Sequence, residues 1–334
     1  MSKGLRAGLQ YLIMISLTAA LLWLSLRGLN VGEGENKAAF IWQAWQGSNK
    51  FYLMLMVVVA LASHVLRAER WRMLLVPTGN IVSLGKSFLS VMVGYLVNLA
   101  IPRGGEVSRC YNLLKLEKTP VEISFGTVVV ERIVDVLTLV LVIALAFVVE
   151  WDKLITFLQS LGVGSEGKSI QIPWWIYAGI AMMAGAGVLL FMLRKHPRLL
   201  RIIEGFRKGL LSVFELENKW LFIFYSVAIW FLYFLMSYCV IIAFEATRDL
   251  GFSAVLTLFA LGAIAMAAPL PGGAGSYHTI VPLGLVMLYN LPQADAIAFV
   301  FIFHAWQTLT MIVGGVVSLL ISYWIIRWKK QPEK

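Results

Sequence analysis

Asn98-Leu-Ala-Ile-Pro-Arg-Gly-Gly-Glu106 and Pro269-Leu-Pro-Gly-Gly-Ala-Gly275 decide how this chain folds. Each follows about 17 to 20 mostly apolar residues, the length that crosses a bilayer core, and each places proline and paired glycines where a helix should continue. Unpaired backbone N–H and C=O groups are too costly in hydrocarbon, so such breaks persist only inside protein or beside a wet cavity. Short or interrupted apolar segments at matching places in two halves of a chain point to a transporter's binding site.

The surrounding sequence has the same character, with 334 residues, 60% of them hydrophobic and only 14% charged. A first apolar run near residues 7–26 is too long for a signal-peptide core and reads as a retained helix. Cys110 and Cys239 lie in or near apolar segments, so neither a disulfide framework nor a zinc site is implied. In so apolar a chain the net charge of +10 reads as basic loops against anionic inner-leaflet headgroups, not as a nucleic-acid surface. No Walker sequence is present, so ATP hydrolysis is not expected, and neither a cofactor nor a metal is called for.

Basic residues mark four regions: Lys3 and Arg6; Arg67, Arg70, Arg72 and Lys86; seven residues from Arg194 to Lys219; and Arg327, Lys329, Lys330 and Lys334. The positive-inside rule makes these cytoplasmic, including both termini, while residues 28–50, 150–172 and 245–251 face outward. An odd number of crossings must then join the basic region near Arg72 to the outer loop near Trp151. Val121–Val149 supplies one crossing, so Ser83–Ile101 must enter from the cytoplasm, break at Pro102 and return through Val107–Lys118. The second break fits either three crossings or one crossing, about Ala294–Trp324, with a hairpin entering from outside, and residues 278–290, short of a full span, favour the hairpin.

The expectation is an all-α polytopic membrane protein with six full transmembrane helices and two oppositely oriented re-entrant helical hairpins in inverted repeats. Residues 1–150 form the first repeat, with a hairpin at about 83–118. Residues 151–334 form the second, with a hairpin at about 252–290 and an amphipathic segment at about 196–218. In that segment Leu199, Ile203, Phe206, Leu210 and Phe214 make an apolar stripe beside Arg201, Arg207 and Lys208. Such a stripe suits either the inner-leaflet surface or packing on the bundle.

Glu131, Arg132 and Asp135 sit mid-span, where each costs roughly 2.5–3.5 kcal/mol to insert unpaired. They either form a structural ion pair with a hairpin or line a polar path. Asn98 precedes the first break; after it, Arg103, Glu106 and Arg109 share a face if the return limb is helical, and guanidinium forks suit phosphate or carboxylate. Arg103 and Arg109 could instead snorkel to the interface. A helix starting just past Gly105 would also aim free N–H groups at an anion. The second break offers Tyr277 and His278, with His304 and Gln307 on the last helix. Two midplane histidines can relay protons or act as neutral hydrogen-bond partners. Pro102, Gly104, Gly105, Pro271, Gly272, Gly273 and Gly275 shape the breaks.

With these residues in view, the chain resembles the lysylphosphatidylglycerol synthase transmembrane-region family, also called flippase-like or UPF0104 membrane proteins. The blocks that carry the resemblance are Arg67-x-x-Arg70-Trp71, Asn98-x-x-x-Pro102-Arg103-x-Gly105-Glu106-x-x-Arg109, Glu131-Arg132-x-x-Asp135 and Pro271-Gly272-Gly273-x-Gly275. The resemblance implies a lipid-translocating module that moves aminoacylated phosphatidylglycerol. Lysyl transfer is not expected of this chain, which ends at Lys334 without a soluble transferase domain. It departs from the family pattern at His278, where Glu is frequent, and at His304, where Arg is frequent.

The expected function is translocation of an anionic or aminoacylated phospholipid, or a polyprenyl-phosphate-type lipid, across the inner membrane. Substrate would bind at Asn98, Arg103, Glu106, Arg109, Glu131, Arg132, Asp135, Tyr277, His278, His304 and Gln307. Expected partners are membrane lipids, with a second copy or a lipid-synthesis protein also open. The alternative is a membrane-embedded enzyme or a non-transporting subunit in lipid or glycan synthesis.

Overall fold

The computed structural model describes residues 36–160, 197–267 and 270–328, with a few helical positions between 16 and 27. The crossing expected between residues 172 and 194, and most of the first apolar run, lie outside the described residues. Every regular element among the described residues is helical. In order they are α1 (Lys37–Gly47), α2 (Lys50–Leu75), α3 (Leu84–Ala100), α4 (Gly104–Glu117), α5 (Val121–Val149), α6 (Trp151–Ser160), α7 (Pro197–Leu211), α8 (Lys219–Ala243), α9 (Gly251–Ala267), α10 (Ser276–Tyr289) and α11 (Gln293–Trp328). Four of the described helices are long and apolar enough to cross a membrane: α2 with its 3-10 extension to Thr78, α5, α8 and α11. The helices that lead into the two breaks, α3 and α9, have 17 residues each and fall short.

Helix starts follow local chemistry. Asn36, Asn49 and Asn218 accept from backbone N–H groups of the first turns of α1, α2 and α8 at 2.9–3.0 Å. The end of α3 is set by Pro102, which pushes Ile101 into extended backbone (φ −121°, ψ 102°). Arg103 then takes the left-handed conformation at φ 63° and α4 begins at once.

Helix α4 folds back along α3. Asn112 Nδ2 donates to Ser90 Oγ at 3.2 Å, and a Cβ on Gly105 would lie 2.2 Å from the Gly94 carbonyl. Lys86 and Glu117 close the open end at 2.7 Å. Helices α9 and α10 make a second antiparallel hairpin, in which Ser276 Oγ donates to Ala265 O at 2.7 Å and Tyr277 lies against Gly262. The open end of the first hairpin lies with the start of α5, where Val121 packs near Leu75 and Val82. The open end of the second lies with the start of α6, where Leu256 and Leu288 pack on Ala146 and Leu154. The hairpins therefore enter the bundle from opposite ends, and their tips meet inside it.

Helix α2 is the spine, running antiparallel to both α5 and α8. Leu53, Met56 and Val59 pack with Met236, Cys239 and Val240 toward one end, and Trp71 Nε1 donates to Thr127 Oγ1 at 2.9 Å toward the other. Charge is biased the same way. Arg72, Lys86, Lys118 and Lys219 lie at the end where α5 begins, together with Glu69, Glu117 and Glu122, and Glu150, Asp152, Asp249 and Asp295 lie at the other with Lys50, Lys153 and Arg248.

Helix α7 settles the two readings of the amphipathic segment by packing on α5. A Cβ on Gly209 would lie 2.1 Å from Ile123 O, and one on Gly126 would lie 2.3 Å from Phe206 O. Backbones approach this closely only through small residues. Ile203 and Phe214, from the expected apolar stripe, remain exposed.

Candidate functional site

Arg67 and Arg70 are not loop cations. They lie inside α2, three residues apart on one face, and are 4% and 0% exposed. Charge counting alone had set them with the cytoplasmic residues, and burial corrects that. Both reach α5: Asp135 accepts from Arg67 Nη2 at 3.0 Å and from Arg70 Nη2 at 2.8 Å. Arg70 also lies 3.4 Å from Glu131 and donates to Ser226 Oγ at 3.2 Å. Arg67 Nε donates to Tyr233 OH at 3.1 Å, which ties α8 into the same cluster.

The first hairpin joins this cluster through Arg109, whose Nη2 meets Glu131 Oε2 at 2.5 Å while its guanidinium covers the Trp71 ring at 4.7 Å. Arg109 is 4% exposed, so it does not snorkel; with Glu131 it forms the buried joint between hairpin and α5. Arg132 sits further out, 3.6 Å from Asp135 and 3.8 Å from Glu106. The mid-span charges thus divide between the two readings. Glu131 belongs to a structural pair, and Arg132 and Asp135 border open space. Four guanidiniums face three carboxylates, leaving one positive charge uncompensated.

That open space lies where the two breaks meet. A cavity of about 220 Å³ is lined by Asn98, Pro102, Arg103, Glu106 and Arg132 from one side, and by Gly272, Gly273, His304 and Gln307 from the other. It adjoins a cavity of about 350 Å³ whose lining includes His64, Arg67, Asp135, Tyr233, Tyr277 and Gln307. Tyr95, Arg103, Arg132 and Gln307 border both, so the two cavities are immediate neighbours. Arg103 Nη2 donates to Ala267 O at 3.1 Å, joining one break directly to the other.

Several polar atoms at this cavity have no hydrogen-bond partner among the described residues: Arg67 Nη1, Trp230 Nε1 and Glu106 Oε2, while Arg132 Nε has only its 3.8 Å ion pair with Glu106. Buried donors without acceptors are costly, so they mark where a ligand or water is received. On α5, Ile133, Val136 and Leu137, flanking Arg132, are exposed and apolar, so the charged lining borders a greasy outer face.

Other expected residues take different roles. Asn98 Oδ1 accepts from Gly105 N–H at 2.7 Å, and Gly104 N–H is taken by Ile101 O at 2.9 Å. These amides of α4 are therefore satisfied internally and are not presented to an anion, contrary to the expectation for the helix start. Gly272, Gly273 and Gly275 all have positive φ (58°, 71° and 94°), which explains glycine at each. His304 Nε2 lies 3.0 Å from Gly272 O, and its ring centroid is 4.7 Å from that of His278. His278 itself faces a separate cavity of about 260 Å³. Sequence reasoning missed His64, Tyr95, Trp230 and Tyr233 as lining residues.

The family model for the lysylphosphatidylglycerol synthase transmembrane region matches residues 9–315. The chain belongs to this family. Proteins similar to it include a UPF0104 membrane protein of Methanocaldococcus jannaschii, 24% identical over 308 residues, or 82% of this chain and 85% of that protein. A UPF0104 membrane protein of Methanothermobacter thermautotrophicus is 25% identical over 219 residues, 63% of this chain and 59% of that one. Glycosyltransferase AglD of Haloferax volcanii is 26% identical over 301 residues, which cover 79% of this chain but 47% of AglD. No solved structure matches the chain. With its apolar helices and this family, the protein is a polytopic membrane protein.

Proposed function

We propose that this protein carries a lipid with an anionic headgroup across the cell membrane, the headgroup passing through the cavity between the two breaks while the acyl chains stay in the bilayer. The observation that carries this reading is the excess guanidinium, with Arg67 Nη1 free of any hydrogen bond among the described residues and Arg132 Nε held only by a 3.8 Å ion pair to Glu106, at a cavity bordered by both hairpin tips. Guanidinium forks are matched to phosphate oxygens, and desolvation in a protein cavity strengthens the match.

The reading includes a membrane orientation. The basic end of the bundle faces the cytoplasm with both termini, and the hairpins are re-entrant from opposite sides between six full crossings. Helix, hairpin and long helix occur in the same order in α2–α5 and α8–α11, which supports inverted repeats of residues 1–150 and 151–334. Substrate contacts fall to Arg103, Glu106, Arg132, Asp135, Tyr277, His304 and Gln307, with Arg67 added.

A second reading rests on the likeness to a glycosyltransferase: the shared membrane region serves lipid-linked glycan synthesis, with Glu106 as acid or base. One reconstitution separates them. Purified protein in vesicles holding fluorescent phosphatidylglycerol should expose inner-leaflet label to dithionite, and Arg132→Ala should slow this at least about tenfold, as loss of a charge-assisted hydrogen bond would. Unchanged sidedness, together with a new lipid species on chromatography, would favour the enzyme and sink the transport reading.

A further inference from the structure

His278 and His304 stand between two cavities. His304, on α11, lines the central cavity beside Gly272 and Gln307. His278, on α10, lines the separate cavity with Ser25, Thr279, Pro282 and Gln293. The rings meet edge to face, with an interplanar angle of 70°. Each imidazole is also tied to the backbone of the second break. A carbonyl oxygen only accepts, so His304 Nε2, 3.0 Å from Gly272 O, carries a hydrogen. An amide only donates, so His278 Nδ1 accepts from Gly275 N–H at 3.5 Å, and its Nε2 carries the hydrogen in the neutral ring.

We propose that His278 and His304 form a proton path between the two cavities, and that protons move through it in step with the headgroup, the second part resting on the transport reading. Uptake of a proton at one ring nitrogen is balanced by release of the N–H proton from the other nitrogen of that ring to water, which must carry it between the rings, since they touch edge to face and share no hydrogen bond. Each transfer alters the break. When His304 gives up its Nε2 hydrogen, two lone pairs face each other at Gly272 O. When His278 is protonated at Nδ1, Gly275 N–H loses its acceptor.

The groups that face the pair explain why protons and anion would travel together. The Tyr277 ring lies 5.7 Å from His304, and across the central cavity stand Arg103, Arg132 and Glu106. Two guanidiniums against one carboxylate oppose an imidazolium. An anion seated between them screens that field, so headgroup binding favours protonation and protonation favours headgroup binding by the same factor. The lining of the His278 cavity holds no charged side chain among the described residues, and Phe301 packs on the ring at 4.4 Å.

The test uses the full chain in vesicles loaded with a pH-sensitive dye and carrying fluorescent phosphatidylglycerol, so that proton entry and lipid movement are read separately. A gradient of about one pH unit should change the lipid rate at least about fivefold, the low end of ordinary coupling, and proton entry should accompany it. His278→Gln should remove the gradient dependence. Lipid movement without gradient dependence or proton entry overturns the proton path and leaves the transport reading standing. Proton entry that His278→Gln abolishes, with no lipid movement, sustains the path and overturns the transport reading. If neither moves, both fail. A measurement on the unaltered chain guards against a variant that does not fold. The sequence has four histidines, so nitrogen-15 histidine spectra in nanodiscs are simple to read. Two of them should change their nitrogen chemical shifts when phosphatidylglycerol is added; no lipid-dependent change overturns the proposal.

Discussion

Replacing Asp135 with asparagine tests the charge cluster most directly. The carboxylate accepts from Arg70 at 2.8 Å and Arg67 at 3.0 Å, with Arg132 at 3.6 Å. The side chains of Arg70, Arg67 and Asp135 are only 0%, 5% and 11% exposed. Asparagine keeps the shape and one acceptor but removes the charge. Opposite unit charges about 4 Å apart interact by about 4 kcal/mol at an effective dielectric near 20. The variant no longer bears the cost of burying its own carboxylate, so the net loss of stability should be about 3–5 kcal/mol, the range for stranding a buried partner. Unfolding in bicelles by steric trapping reads this quantity. Combining Asp135→Asn with Arg67→Met should recover about 1–3 kcal/mol relative to additivity, because the two side chains are in contact. Retention of phosphatidylglycerol should move the other way. Four guanidiniums would then face two carboxylates, and an added unit charge about 4 Å from the headgroup in a wet cavity contributes about 1 kcal/mol, or roughly fivefold in affinity. A stability change under about 1 kcal/mol, the size of an exposed pair, would refute the buried network. So would lipid loss in strict proportion to lost folded protein.

Two further substitutions probe the breaks and the packing. Arg103→Gly relieves a left-handed residue at φ 63°, so thermal unfolding should show a gain of up to about 1 kcal/mol. The same variant should slow lipid translocation about tenfold through loss of a cation at the cavity, giving opposite signs for stability and transport. Gly209→Ala sets a Cβ 2.1 Å from the Ile123 carbonyl and should destabilise by about 1–3 kcal/mol. Gly205→Ala meets the flexible Glu122 side chain, at 2.5 Å from Cγ, and Ile123 Cγ1 at 3.4 Å, and should stay within about 0.5 kcal/mol. Equal melting of the two glycine variants would count against the close approach of α7 to α5.

Much of the architecture was legible because the hydrocarbon core imposes strict rules. Proline and paired glycine at Pro102–Gly105 and Pro271–Gly273 located both breaks, since few residue types permit a helix to stop and restart within three residues. Counting basic residues at helix ends led to two re-entrant hairpins; the structure shows α3 turning back into α4 and α9 into α10, and their re-entry into a membrane belongs to the proposal. What was not legible depends on which surfaces meet. Nothing local in Gly205-x-x-x-Gly209 says that its partner is Gly126, and nothing around Tyr95 or Tyr233 says that they share a cavity with Arg132.

The misreading of Arg67 and Arg70 is the instructive case, because the correcting signal was present in the chain. The same letter stands for a cation in a loop and for one inside a bundle, and the positive-inside rule treats them alike. Continuation of the helix separates them: Trp71 and then Met73-Leu74-Leu75 follow the two arginines, and Trp71, Leu74 and Leu75 are fully buried. A loop would not bury three large apolar side chains immediately after its charges. The carboxylates supply the other half. Glu131 and Asp135, one helical turn apart in an apolar span, cannot remain ionised there without cations on a facing helix. Arg67 and Arg70 have the matching spacing on α2, so the acids of α5 already specify the burial of the arginines. Buried charge in one membrane segment is therefore a contact prediction for another.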